Sequence, residues 1–145
     1  ALVEELAAMV APAPATIVSP AIGGIVLGQE VARAWGARAI WAERAGAGGE
    51  LAFRRGFALS PGERVIAVED VVTTAGSIRE LVALSRSAGA EVVGAAAVVD
   101  RSAGAVTWDV PWAALVEIEV EQRSPENCPQ CAAGIPVVKP GSRPG

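Results

Sequence analysis

In Arg64-Val65-Ile66-Ala67-Val68-Glu69-Asp70-Val71-Val72-Thr73-Thr74-Ala75-Gly76-Ser77, an apolar run ends in two adjacent carboxylates. A small, hydroxyl-rich turn follows, and helical spacing begins at Ile78. An unbroken apolar run suits a central parallel strand covered on both faces. A turn of this kind aims backbone N–H groups and the positive end of the next helix at one point, which makes a phosphate site. Thr73, Thr74 and Ser77 add hydroxyl donors, and Ala75 and Gly76 let an anion approach the backbone closely. Glu69 and Asp70 would repel a phosphate aimed at them. They suit sugar hydroxyls, or a magnesium-bound sugar phosphate. The Gly-Lys-Ser/Thr ending of a P-loop is absent.

The flanking sequence alternates strands and helices. Leu2, Val3, Leu6, Met9 and Val10 lie on one face of a helix, and Pro12 and Pro14 stop it. Thr16-Ile17-Val18 is a short buried strand, and Ser19-Pro20-Ala21-Ile22-Gly23-Gly24 a loop. Residues 25–35 have helical spacing, with Gly36 as the cap. Ala39-Ile40-Trp41-Ala42 is a second strand. Residues 45–49 are Gly/Ala-rich and expected to be mobile, 52–58 extended, and Ser60-Pro61-Gly62-Glu63 a turn. Downstream, 78–88 is a helix closed by Gly89, and 92–99 a buried strand ending at Asp100-Arg101. Residues 115–120 alternate with Glu117, Glu119 and Glu121, as on an edge strand with one wet face. Core packing is the default for Trp35, Trp41, Trp108 and Trp112. The expected fold is α/β: an open, mainly parallel sheet flanked by helices. Its ligands would bind at the carboxyl ends of the strands, after Val18, Ala42, Val68 and Val99.

Composition bounds the function. With 145 residues, 52% apolar and 19% charged, the chain is expected to form one domain, 1–145. Residues 1–11 read as the helix of a truncated N-terminal part, and 124–145 as a Pro-rich tail. No apolar run reaches the roughly 18 residues of a membrane helix, and the N-terminus is no secretory signal. A net charge of −4 argues against a nucleic-acid partner held by phosphate neutralisation. The absence of His removes Ser-His and Cys-His nucleophile pairs and imidazole zinc sites. Proton transfer would then fall to carboxylates, Lys or the substrate itself. Cys128 and Cys131 form half of a four-thiolate site with no second pair, so two reduced thiols in a cytoplasmic protein are expected.

The string 68–77 resembles the phosphoribosyl pyrophosphate (PRPP) motif of type I phosphoribosyltransferases, in the version of the orotate phosphoribosyltransferases. Ser19-Pro20-Ala21-Ile22-Gly23-Gly24 is similar to that family's pyrophosphate loop. Asp100-Arg101-Ser102 stands where the family places an orotate-binding arginine. The tail from Pro125-Glu126-Asn127-Cys128-Pro129-Gln130-Cys131 through Gly134-Ile135-Pro136 to Lys139-Pro140-Gly141-Ser142 resembles one bacterial branch. There are departures. Many relatives carry Gly at Ala75, so a methyl there is expected only at negative φ. The loop 43–56 has Arg44, Arg54 and Arg55 but no Lys or His, and the family's N-terminal segment is not in the chain.

The resemblance implies transfer of phosphoribosyl from PRPP to orotate, giving orotidine 5′-monophosphate and pyrophosphate, in pyrimidine biosynthesis. An oxocarbenium-like sugar and an anionic base need no strong protein base, so the lack of His is no obstacle. It also implies a cytoplasmic homodimer with Mg²⁺ as cofactor, carried by PRPP, with Asp70 reaching the ion through water. Glu69 and Asp70 would hold the ribose hydroxyls, and Val71, Val72, Thr73, Thr74, Ala75, Gly76 and Ser77 would complete the PRPP site. Ala21, Ile22, Gly23 and Gly24 would meet the pyrophosphate, and Thr73 and Arg101 the orotate. Arg44, Arg54, Arg55 and Asp70 would be the catalytic set. Two rivals remain: a type I transferase for a purine or uracil, and a non-catalytic PRPP-binding regulator.

Overall fold

The computed structural model describes residues 1–10, 12–46, 49–120 and 123–136. Its elements follow the order α1 (Leu2–Met9), β1 (Thr16–Pro20), α2 (Gly23–Trp35), β2 (Arg38–Arg44), β3 (Leu51–Phe53), β4 (Arg64–Val72), α3 (Gly76–Ser87), β5 (Glu91–Asp100) and β6 (Trp112–Glu117). A 3-10 turn, Pro125–Asn127, and a short helix α4, Pro129–Ala132, follow. The strands form one sheet in the order β3-β2-β1-β4-β5-β6. All neighbours are parallel except β2 and β3, which are antiparallel.

Strand alternation divides the core in two. Ile66 and Val68 of β4 point to one face, where they join Ile17, Ala96, Leu2 and Leu6 of α1, and Val31 and Ala32 of α2. Val65 and Ala67 point to the other, against Val18, Ala95, Ala97, and Ile78, Leu81 and Val82 of α3. Helices therefore cover both faces, which is why β4 has no polar alternation until Glu69. Fully burying a Val or Ile side chain contributes roughly 1.5–3 kcal/mol, so the β4 run alone is a large part of what fixes the sheet. The helix α2 packs closely on β1. A Cβ built on Gly28 would lie 2.8 Å from Ser19 Oγ, and one on Gly24 would lie 3.0 Å from Pro20 Cδ. Gly36, at φ 65°, closes α2 as a left-handed cap.

Several boundaries differ from expectation. β4 does not end at Asp70 but runs on to Val72, because Val71 and Val72 still pair with Val99 and Asp100 of β5. The helices α2 and α3 begin at Gly23 and Gly76, two residues earlier than expected, so Gly23, Gly24 and Ser77 sit in first helical turns. The edge strand β6 lies at Trp112–Glu117, earlier than 115–120, where Ala113 can bury against the sheet. The tail is partly helical among the described residues. Glu121, Lys139, Pro140, Gly141, Ser142 and part of 45–49 lie outside the described residues. Trp108 and Trp112 stack at 3.9 Å beside the core, but Trp41 faces a cleft and packs edge-on against Phe57 at 4.6 Å.

Candidate active site

A cleft of about 1020 Å³ opens where β1, β2 and β4 end. β1 hands it Pro20, Ala21, Ile22, Gly23 and Gly24; β2 hands it Trp41, Glu43 and Arg44; β4 hands it Glu69 and Asp70. Parallel strands deliver their carboxyl ends to one side of a sheet, so residues distant in sequence meet there. Leu51, Arg55 and Ser77 complete the rim.

The loop after β1 and the carboxylates of β4 are in direct apposition. A Cβ on Gly23 would fall 2.9 Å from Cγ of Asp70, so only glycine leaves room for this carboxylate. The Ala21–Ile22 peptide bond is cis, and the Ala21 N–H donates to the Ala42 carbonyl of β2 at 2.8 Å. The turn 73–75 leads into α3 through Ala75, which has φ 60°. The expectation of a negative φ at Ala75 is therefore corrected. Its methyl is accommodated because it is 3% exposed and packs into the core with Val72 and Ile78. Thr73, Thr74 and Gly76 are exposed at the same helix end. Val72 is instead buried at 1%, so its side chain serves the core and only its backbone is near the turn.

Glu69 and Asp70 occupy different environments. Asp70 is exposed, whereas Glu69 is half-buried. Burial, then the neighbouring Asp70 charge, push the Glu69 carboxyl up to about 7, against the opposing pull of Arg44 and of the Ile78 N–H. Two adjacent carboxylates at one strand end are a donor set suited to a hard cation or to hydroxyls. Among the described residues no cluster of three or more His, Cys, Asp or Glu could hold a metal by itself. A cation here would need oxygens from its ligand.

The arginines divide. Arg44 lines the cleft and donates from Nη1 to the Gly49 carbonyl at 2.8 Å and from Nη2 to Glu80 Oε2 at 2.7 Å. Arg55, at φ 56°, pairs with Glu43 through Nε, and its Nη2 reaches Glu43 Oε2 at 3.3 Å. The Arg55 hydrogen bond, then that from Trp41 Nε1, hold the Glu43 carboxyl below the usual range. Arg54 is exposed, and the cleft-lining residues do not include it. Arg101 is exposed next to the turn, its N–H donating to the Val72 carbonyl at 2.8 Å. Asp100, 6% exposed, fixes that corner by accepting the Ser102 N–H at 2.7 Å.

Sequence reasoning did not single out Trp41, Glu43 or Glu80. Position at the end of β2 was a usable signal for the first two. None existed for Glu80, which meets Arg44 across 36 residues.

Known proteins resemble this chain in sequence and fold. Residues 2–130 match the family described as the phosphoribosyl transferase domain. The chain is 54% identical over 127 residues to the orotate phosphoribosyltransferase of Carboxydothermus hydrogenoformans, covering 88% of this chain and 65% of that protein. It is 50% identical over 143 residues to that of Pelotomaculum thermopropionicum, covering 98% of this chain and 74% of that protein. It thus spans less than two thirds of the length of the Carboxydothermus relative. Among solved structures, adenine phosphoribosyltransferase from Rhodothermus marinus superposes with a TM-score of 0.68 at 20% identity, covering 80% of this chain and 77% of that one. Orotate phosphoribosyltransferase from Aeropyrum pernix gives 0.62 at 23% identity, covering 80% and 69%. The structural likenesses establish the fold, and with the sequence relationships they place the site in context: the chain belongs to the phosphoribosyl transferase family, in its orotate phosphoribosyltransferase branch.

Proposed function

We propose that this chain carries the transfer of phosphoribosyl from PRPP to orotate, releasing pyrophosphate and forming orotidine 5′-monophosphate. The observation that carries the reading is the apposition of Asp70 to Gly23, which joins a sugar-binding pair of carboxylates to a backbone cradle in one cleft. In this reading Asp70 and Glu69 take the ribose hydroxyls. Thr73, Thr74, Ala75, Gly76 and Ser77, with the Val71 and Val72 backbone, take the 5′-phosphate at the start of α3. The segment Ala21, Ile22, Gly23 and Gly24 takes the pyrophosphate, and Arg44 supplies the first cation for its charge. Arg54 and Arg55 are the further cations of the loop, Arg55 after leaving Glu43. Arg101 takes the orotate carboxylate with its planar fork, next to Thr73. Catalysis comes from positioning and charge stabilisation, since the departing pyrophosphate and the cationic sugar are what need support.

Mg²⁺ is the proposed cofactor. It would neutralise the pyrophosphate oxygens, with PRPP supplying most of its ligands and Asp70 acting through water. We also propose a homodimer, to be checked by light scattering, and the cytoplasm as compartment, which suits the free thiols Cys128 and Cys131. No helix among the described residues is long and apolar enough to cross a membrane.

The test is pyrophosphate release from PRPP and Mg²⁺ with orotate, adenine, hypoxanthine, guanine or uracil, alongside PRPP binding. Release with orotate alone supports the proposal. Release with a purine or uracil reassigns the base. Binding without release with any base points to a regulator, or to a chain that needs more of the length its relatives have.

A further inference from the structure

Glu80 of α3 makes two contacts with one carboxylate. Its Oε2 accepts from Arg44 Nη2 at 2.7 Å, and its Oε1 accepts from the Leu51 N–H at 2.6 Å. Arg44 is the last residue of β2 and Leu51 the first of β3, and the two are the terminal pair of that antiparallel ladder. A single side chain thus clamps both ends of the β2–β3 connection to the helix that begins at the phosphate turn. Glu80 and Arg44 are both half-buried, and the two bonds fix the carboxylate at both oxygens. The Leu51 N–H, then the Arg44 guanidinium, hold its carboxyl below the usual range, so it stays charged at neutral pH.

The two bonds to Glu80 and Gly49 use two of the five N–H donors of the Arg44 guanidinium. Among the described residues the other donors make no further bond, and Arg44 lines the cleft with Glu69, Asp70 and Gly23. An arginine on a flexible stem loses rotamer freedom on binding an anion, and a fixed carboxylate behind it removes part of that loss beforehand. We propose that Glu80 is a positioning residue that holds Arg44 ready for the pyrophosphate of PRPP and ties that readiness to α3. The inference rests on the PRPP reading of the cleft, but not on which base is used.

The test is a double-mutant cycle on PRPP·Mg²⁺ binding by calorimetry, with Glu80→Gln, Arg44→Gln and the double variant. Glu80→Gln is expected to weaken PRPP binding about tenfold, the equivalent of one charge-assisted hydrogen bond. It should leave the orotate KM unchanged, with no further loss when added to Arg44→Gln. Glu80→Asp, which keeps the charge on a shorter stem, should recover part of the affinity. Unchanged binding in Glu80→Gln overturns the inference, and so does a full additional loss in the Arg44→Gln background, since Glu80 would then act by another route. If Glu80→Gln fails to fold, Glu80→Asp in the same cycle decides the matter by the same criterion. Absence of PRPP binding by the parent chain overturns the functional reading and this inference with it, an outcome distinct from either of the others.

Discussion

The carboxylate of Asp70 fills the space that any side chain at Gly23 would need, with its Cγ 2.9 Å from the position of a Cβ there. The two residues come from different strand ends, and a side chain at Gly23 would have to displace the Asp70 carboxylate. Gly23→Ala is expected to push Asp70 out of place and weaken PRPP binding at least about tenfold, by analogy with other displaced site groups. Asp70→Asn, which keeps the shape, should cripple turnover while shifting the thermal midpoint little, because Asp70 is exposed. Near-normal turnover in Asp70→Asn would remove the ribose role.

Arg101 is held at the end of β5 by its backbone bond to Val72, with its side chain exposed. Arg101→Ala should therefore weaken orotate binding far more than PRPP binding, by roughly 10–100-fold for a lost bidentate carboxylate contact. Titration of each ligand separately checks this. An equal loss for both ligands would take Arg101 out of the base site.

Ala75 combines a left-handed backbone with a buried methyl. Left-handed geometry costs a non-glycine residue roughly 1–2 kcal/mol. Burying the methyl returns about 0.8 kcal/mol, and alanine limits the unfolded chain by a further ~0.4–1 kcal/mol relative to glycine. The terms nearly cancel. Ala75→Gly should change unfolding free energy by less than about 0.5 kcal/mol, whereas Ala75→Val, β-branched at positive φ in a packed site, should cost more than about 2 kcal/mol. Urea denaturation reads both. A large stabilisation by glycine would mean that the methyl packs poorly.

Glu69 has a native carboxyl raised from 4.5 to about 7. Between those values the native state keeps a proton that the unfolded chain has lost. Its contribution therefore makes stability fall as pH rises from 4.5 towards 7, and above that range the full penalty remains. Glu69→Gln should flatten this part of the stability profile and raise the thermal midpoint above pH 7 relative to the parent. A parent profile that rises across the same window, with no flattening in the variant, would contradict the burial argument.

Much of the cleft was legible in the chain. The run 64–77 has a strand's apolar continuity and then a turn's small polar residues, both local properties. Residues 19–24 read locally only as a loop, and it was the family resemblance that singled out Ala21 to Gly24. The end of β4 was not legible, because whether Val71 and Val72 stay in the sheet depends on finding Val99 and Asp100 opposite them. Nor was the state of Arg55, which a partner twelve residues away, Glu43, holds.

By itself, the sequence determined the order of strands and helices as far as β6, the two-faced core and which residue types stand at the strand ends, because periodicity and residue type are local and additive. Only the tertiary structure decided which of those groups touch. Glu80 meets Arg44 and Leu51, and Asp70 meets Gly23, because parallel strands and short helices bring distant residues to one edge of the sheet. It also decided that the Glu69 carboxyl is pushed up to about 7, since burial is a property of the folded environment and not of the residue.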